Sequence, residues 1–268
     1  MPVLSVDDYL NFPTVAPDVS YSYGEHPDQY VELFLPETGD NHPVIILIHG
    51  GCYREQYSIK PMGRMARALA DEGFAVWSLE YRRAGNDGDY PTMFLDVARA
   101  TDFIREKADT HNLNLNTVIA VGHSAGGHLA LWLAGRHKLA DDSALYIENP
   151  LPIHAVVALA PIADLTFAFE QGQCDGALTV VMGGEPDNAE RNYADGSPRA
   201  LLPLGVPQVH IIGTEDTEML DNTKPYIESA VEQGDDAKLI TIPDVGHFEV
   251  VDSTSDVWHI VRDVIVRL

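Results

Sequence analysis

The stretch Thr117-Val-Ile-Ala-Val-Gly-His-Ser-Ala-Gly-Gly-His-Leu-Ala-Leu-Trp-Leu133 leaves this chain little freedom in how it folds. The β-branched and small apolar residues at 117–121 suit a buried strand, and the apolar run from 125 onward suits a helix. Between them stands one serine, with a glycine two residues to either side. A chain that passes from strand to helix so abruptly must turn sharply. The turn puts Ser124 in an unfavourable region of φ/ψ space and brings positions 122 and 126 against neighbouring chain, where side chains would collide. Gly122-His123-Ser124-Ala125-Gly126 thus has the G-x-S-x-G form of a nucleophile elbow. Such a turn exposes the serine Oγ and aims the Ala125 amide and the new helix N-terminus at developing negative charge.

Around this element, strand-like and helix-like periodicities alternate along the whole chain. Tyr21 to Tyr23 and Gln29 to Leu35 read as an antiparallel hairpin, and Val44 to Ile48 as a fully buried strand. A helix is predicted over 59–72, ending at Gly73, and a strand from Phe74 to Tyr81. Pro91 opens a helix with Phe94, Val97, Ala98, Thr101 and Ile104 on one face. Further strands are predicted at His154–Ala160, Val206–Gly213 and Ala237–Ile242, with helices near 224–232 and 254–267. This alternation predicts an α/β fold with a largely parallel sheet covered on both faces. Its 268 residues suffice for a single domain. Residues 164–204 break the rhythm: they carry no strand pattern and many glycines, prolines and acids, and are expected to be a lid insertion of short helices over the site.

Bulk composition narrows the partners. Of the chain, 45% is hydrophobic and 22% charged, as in a water-soluble globular protein. The net charge of −24 disfavours nucleic acid and anionic membranes. The start lacks the basic and apolar regions of a signal peptide, and no apolar run approaches a membrane span. Cys52 and Cys174 are far apart and in neither metal nor redox spacing. They read as free thiols in a cytoplasmic protein. No metal and no cofactor are expected.

A serine hydroxyl needs a base to take its proton. His247, in Asp244-Val-Gly-His-Phe-Glu-Val, follows the strand at 237–242 and sits in a loop that Gly246 can bend. His210, within a strand, reads as core, and His259 as a surface or packing residue. The acid is expected after the strand ending near Ile212, where Asp216 in Gly213-Thr-Glu-Asp-Thr-Glu is best placed; Glu215 and Glu218 are alternatives. Asp164 is read as ordering its loop. His49-Gly50-Gly51-Cys52, after the buried strand at 44–48, has the form of an oxyanion loop, with Gly51 and Cys52 as donors beside Ala125. Tyr53, Glu55 and Tyr57, together with His49, Gly50, His123 and Phe248, are candidate substrate contacts. Trp132 reads as core, and Arg82 and Arg83 as members of structural ion pairs.

Taken in order, H-G-G-C at 49–52, E-Y-R-R at 80–83, G-H-S-A-G-G-H-L-A at 122–130, G-T-E-D at 213–216 and G-H-F-E at 246–249 resemble the α/β-hydrolase superfamily across nearly the whole chain. Within it the chain looks most like the esterase/lipase and kynurenine formamidase-like (arylformamidase) branch. The resemblance implies an eight-stranded, mostly parallel sheet, a Ser124–Asp216–His247 triad, an acyl-enzyme intermediate, and room for a homodimer. Cys52-Tyr53 departs from the tyrosine–tryptophan pair that usually follows H-G-G in arylformamidases. The expected activity is hydrolysis of a small carboxylic ester. The alternatives are an activated amide such as N-formylkynurenine, a peptide bond, or no catalysis at all, as in a small-molecule receptor of this fold.

Overall fold

The computed structural model describes residues 3–268. In chain order the elements are α1 (Val6–Leu10), β1 (Val19–Ser22), β2 (Tyr30–Phe34), β3 (His42–Ile48), α2 (Gly63–Asp71), β4 (Ala75–Leu79), α3 (Thr92–Asp102), β5 (Leu113–His123) and α4 (Ala125–Gly135). There follow β6 (Ala155–Leu159), α5 (Leu165–Glu170), α6 (Ala177–Val181), α7 (Glu190–Gly196), β7 (Gln208–Gly213), α8 (Thr217–Glu232), β8 (Ala237–Ile242) and α9 (Trp258–Val266). The strands form one eight-stranded sheet in the order β1-β2-β4-β3-β5-β6-β7-β8. The β1–β2 and β2–β4 pairs are antiparallel, and every other pair is parallel. This is the α/β-hydrolase fold that the motifs implied.

Period-2 alternation sorts the central strands into two cores. Val44, Ile46, Ile48, Val118, Ala120, Val156 and Ala158 face one side, where α3, α4 and α8 pack. Ile45, Leu47, Ile119, Val121, Val157 and Leu159 face the other, against α1, α2 and α9. Helix α4 is buried over its entire length. An all-apolar helix needs cover on every side, and the cover comes from the 164–204 segment. Trp132 Nε1 donates to the Asp195 carbonyl (3.0 Å) and His128 Nε2 to the Gly196 carbonyl (2.9 Å). Trp132 and His210 are core residues, as read from the sequence. Arg82 pairs with Asp96, and Arg83 with Glu80 and Asp28.

Three features depart from expectation. Helix α8 begins at Thr217 and carries Pro225 inside it, whereas the sequence pattern predicted a helix only near 224–232. Pro225 lies on the exposed face, where the lost amide bond costs less than it would in a packed interior. Helix α1, unforeseen, has a complete capping box: Ser5 Oγ accepts from the Asp8 amide, and the Asp8 carboxylate accepts from the Ser5 amide.

The third departure is chemical. Cys52 and Cys174 form a disulfide between positions 122 residues apart in sequence. The expectation of free thiols is therefore incorrect, and thiol chemistry no longer argues for a reducing compartment. Only the folding of the 164–204 segment onto the sheet brings the two cysteines together. No helix among the described residues is long and apolar enough to cross a membrane.

Candidate active site

The site lies beyond the C-terminal ends of β3, β5, β7 and β8, where α/β sheets gather their functional loops. Ser124 follows β5 directly and has φ 55° and ψ −120°, a conformation that costs a non-glycine residue of order 1–3 kcal/mol. The surrounding hydrogen bonds hold it there. Its amide donates to the Leu159 carbonyl (2.8 Å), and its carbonyl accepts from the amides of His128 (3.1 Å) and Ile162 (3.3 Å). The flanking glycines are obligatory. A Cβ on Gly122 would strike the Gly126 carbonyl, and one on Gly126 would strike the Ile48 carbonyl.

His247 and Asp216 meet as the sequence suggested: His247 Nδ1 donates to Asp216 Oδ2 at 2.5 Å. Asp216 occupies the N-cap position of α8, where an aspartate side chain ordinarily accepts a backbone amide. Here it makes no capping bond, and its carboxylate is directed to the imidazole instead. Foregoing a cap typically costs ~1 kcal/mol, so the arrangement favours the histidine over the helix. Glu215 and Glu218 do not reach the ring, and Asp164 caps α5 through the Thr166 and Phe167 amides (3.0 and 3.2 Å). His259 sits on the exposed side of α9.

Ser124 and His247 line one cavity of about 160 Å³ together with Val6, Tyr9, Gly51, Cys52, Tyr57, His123 and Phe248. Among the described residues, neither Ser124 Oγ nor His247 Nε2 has a hydrogen-bond partner in the chain. Nor do the amides of Gly51, Cys52 and Ala125. Contacts between such groups often tighten only around a seated substrate. The oxyanion-type loop is strongly bent, with φ of 113° at Gly51, 49° at Cys52 and 58° at Tyr53. The disulfide at Cys52 and the bonds from Arg54 to the Cys174 and Asp175 carbonyls (3.0 and 2.9 Å) fasten it to the 164–204 segment.

Four candidate substrate contacts turn out to serve the scaffold. His49 is fully buried beneath the loop; its Nδ1 donates to the Gly50 carbonyl (2.7 Å), and its Nε2 lies 2.9 Å from Glu80 Oε1. Gly50 packs on the elbow, because a Cβ there would press on the His123 carbonyl at 2.6 Å. Tyr53 turns inward, its hydroxyl donating to His128 Nδ1 (3.0 Å). The tautomer follows from His128 Nε2, which must donate to a carbonyl. Glu55 lies beside Gly85, away from the cavity. Gly51, Cys52, Tyr57, His123 and Phe248 do line the cavity.

His123 is buried, and its Nε2 donates to the His247 carbonyl (2.9 Å) with the rings 4.5 Å apart. Burial, with His247 alongside, holds its pKa well below the usual histidine range. The neutral ring therefore supports the His247 loop. Val6 and Tyr9 were missed as wall residues. Their only sequence signal is the Ser5–Asp8 capping-box spacing before an apolar i, i+3 pair. No residue of 164–204 lines this cavity; the segment reaches its rim through Cys174 alone.

Fold and site geometry together define an α/β-hydrolase. More narrowly, the chain belongs to the BD-FAE family, whose model matches residues 31–226. It is 24% identical over 255 residues to a probable dipeptidyl-peptidase 5 of Emericella nidulans, covering 88% of this chain and 33% of that protein. Kynurenine formamidase of Danio rerio is 20% identical, covering 92% of this chain and 80% of the relative. A crystal structure of esterase B from Lactobacillus rhamnosis superposes with a TM-score of 0.80 at 19% identity, covering 97% of this chain and 88% of that one. The chain spans between 26% and 33% of the length of the first three curated relatives it matches.

Proposed function

We propose that this protein is a serine hydrolase that cleaves a small carboxylic ester through Ser124, His247 and Asp216. In this reading, neutral His247 takes the proton from Ser124 Oγ through Nε2 as the oxygen attacks the substrate carbonyl. Asp216 holds the ring in the required tautomer and stabilises the imidazolium. The amides of Gly51, Cys52 and Ala125 receive the oxyanion, each typically worth ~3 kcal/mol in the transition state. His247 then passes its proton to the leaving oxygen, and water releases the acyl group by the reverse route.

The observation that carries this reading is the pairing of a strained Ser124 with a histidine held by an aspartate that forgoes its helix cap. A general base needs a fixed tautomer, and the Asp216 carboxylate is engaged in fixing it rather than in capping α8. Metal and cofactor play no part in the scheme.

A second reading, hydrolysis of an N-formyl or otherwise activated amide, draws support from the size of the cavity. About 160 Å³ suits a formyl group as readily as an acetyl group. The test combines a fluorophosphonate probe with turnover of p-nitrophenyl acetate and N-formylkynurenine. Wild type is expected to be labelled at Ser124 and to hydrolyse the ester faster, and S124A to lose both labelling and turnover. An unlabelled wild type, or turnover unchanged in S124A, would overturn the hydrolase reading. Faster turnover of N-formylkynurenine would select the amide reading.

A further inference from the structure

The N-terminal segment touches the reacting groups more closely than its distance in sequence suggests. Glu249 clamps it: Oε1 accepts from the Leu4 amide (2.6 Å), and Oε2 accepts from the amide of Gly246, the residue before His247 (3.1 Å). A Cβ on Gly246 would collide with Val3, so the segment lies directly on the base-bearing loop. Tyr9 stacks on Phe248 at 5.0 Å and 20° and lies 6.0 Å from the His123 ring. Phe12 braces Tyr9 edge-on at 5.5 Å and is itself covered by the Arg64 guanidinium at 5.1 Å. Val6 and Tyr9 then complete the wall of the Ser124 cavity.

The side of the cavity matters. A general acid must touch the oxygen it protonates, so the leaving group has to lie against His247. The groups that flank His247 are Phe248 (4.9 Å) and His123 (4.5 Å), and Tyr9 packs on both. We propose that α1, through Val6 and Tyr9, is the specificity wall for the leaving alcohol, limiting its size next to the scissile bond. This rests on the hydrolase reading. The wall acts by shape: the ring of Tyr9 is fixed on two sides, while Val6, 38% exposed, stands at its rim.

The experiment measures kcat/KM for acetate esters of methyl, propyl and hexyl alcohols, and separately for p-nitrophenyl esters of acetyl, butyryl and hexanoyl groups. Y9A and V6A are compared with wild type, with Y9F as the variant that keeps the ring. Y9A is expected to raise hexyl over methyl acetate at least tenfold, with V6A moving the same way by less. V6W, adding bulk at the same rim, is expected to shift the preference toward methyl acetate. Y9F should keep the wild-type order of alcohols, and the acyl series should keep its order in every variant. Fluorophosphonate labelling of Ser124 is recorded for each protein, which separates the two claims. Labelled variants with an unchanged alcohol order, or with the acyl order shifted instead, overturn the assignment of α1. A wild type that takes no label overturns the hydrolase reading. Should Y9A lose labelling through misfolding, V6A and V6W decide the matter alone.

Discussion

The strand–elbow–helix unit of β5 and α4 and the pieces that enclose the cavity are built on opposite plans. The elbow is local: seventeen consecutive residues from 117 to 133 specify strand, turn and helix, and buried neighbours on every side hold Ser124 in its strained geometry. The enclosure is assembled from three distant places. Residues 6 and 9 come from the N-terminus, 51–57 from the loop after β3, and 247–248 from the loop after β8. The 164–204 segment joins through the Cys52–Cys174 disulfide and the Arg54 bonds to the 174–175 carbonyls. Ser124 therefore stands on a fully buried, locally specified unit, while the residues that surround the entering group come from loops brought together by the fold.

The largest effect that would sharpen this contrast comes from Asp216. D216N is expected to lower kcat roughly 10³–10⁴-fold, because an amide cannot stabilise the imidazolium and favours the wrong tautomer. Asparagine is as good a helix cap as aspartate. Thermal unfolding should therefore show D216N at least as stable as wild type. A destabilised D216N with near-normal kcat would assign the Asp216–His247 bond to the scaffold and erase the distinction between the two plans.

The enclosure should respond in the opposite sense. Removing the disulfide in a C52A/C174A double variant is expected to lower stability by up to about 5 kcal/mol, given a closed loop of 122 residues. Denaturant melts measure this, and wild type treated with dithiothreitol should match the variant. Activity should fall about tenfold, less than the loss of a whole oxyanion donor, since Arg54 still holds the loop to the 174–175 carbonyls. A loss as large as that of D216N would mean that the Cys52 loop is as much a part of the rigid site as the elbow.

The smallest effect concerns acid. Burial holds His128 at about 4 and His210 at about 3, and keeps His123 well below its usual range. All three pKa values are depressed on folding. The unfolded chain therefore takes up protons below about pH 6.5 while the folded one does not, and stability falls as pH drops through this window. Each histidine contributes a slope of ~1.4 kcal/mol per pH unit until its folded value is reached. For His128 that window runs from about 6.5 to about 4. In H128Q the acid limb of stability against pH should flatten by that slope, read from urea melts at several pH values. An unchanged limb would show that Gly196 and Tyr53 hold His128 in both protonation states.

Periodicity revealed all eight strands, because each carries its own apolar or alternating run, although β5 begins at Leu113, four residues before its run at 117–121, and β1 at Val19 rather than Tyr21. The motifs revealed Ser124, Asp216 and His247 for a similar reason: each stands at a turn whose chemistry is written within five residues. Tyr53 and His49 misled. The direction of a side chain in the loop after β3 depends on neighbours such as His128 and Glu80, which are far away in sequence. Helix α1 escaped notice because five residues are too few to show a period.

By itself, then, the sequence determined the sheet, the elbow, and the pairing of His247 with Asp216 beside the cavity that Ser124 lines, since strand propensity, glycine geometry and chain order are properties of short segments. Only the tertiary structure decided that Cys52 pairs with Cys174, that Tyr53 faces the core, and that Val6 and Tyr9 close the cavity. Those outcomes depend on contacts between residues separated by up to most of the chain, and packing of the whole molecule selects them where no local preference does.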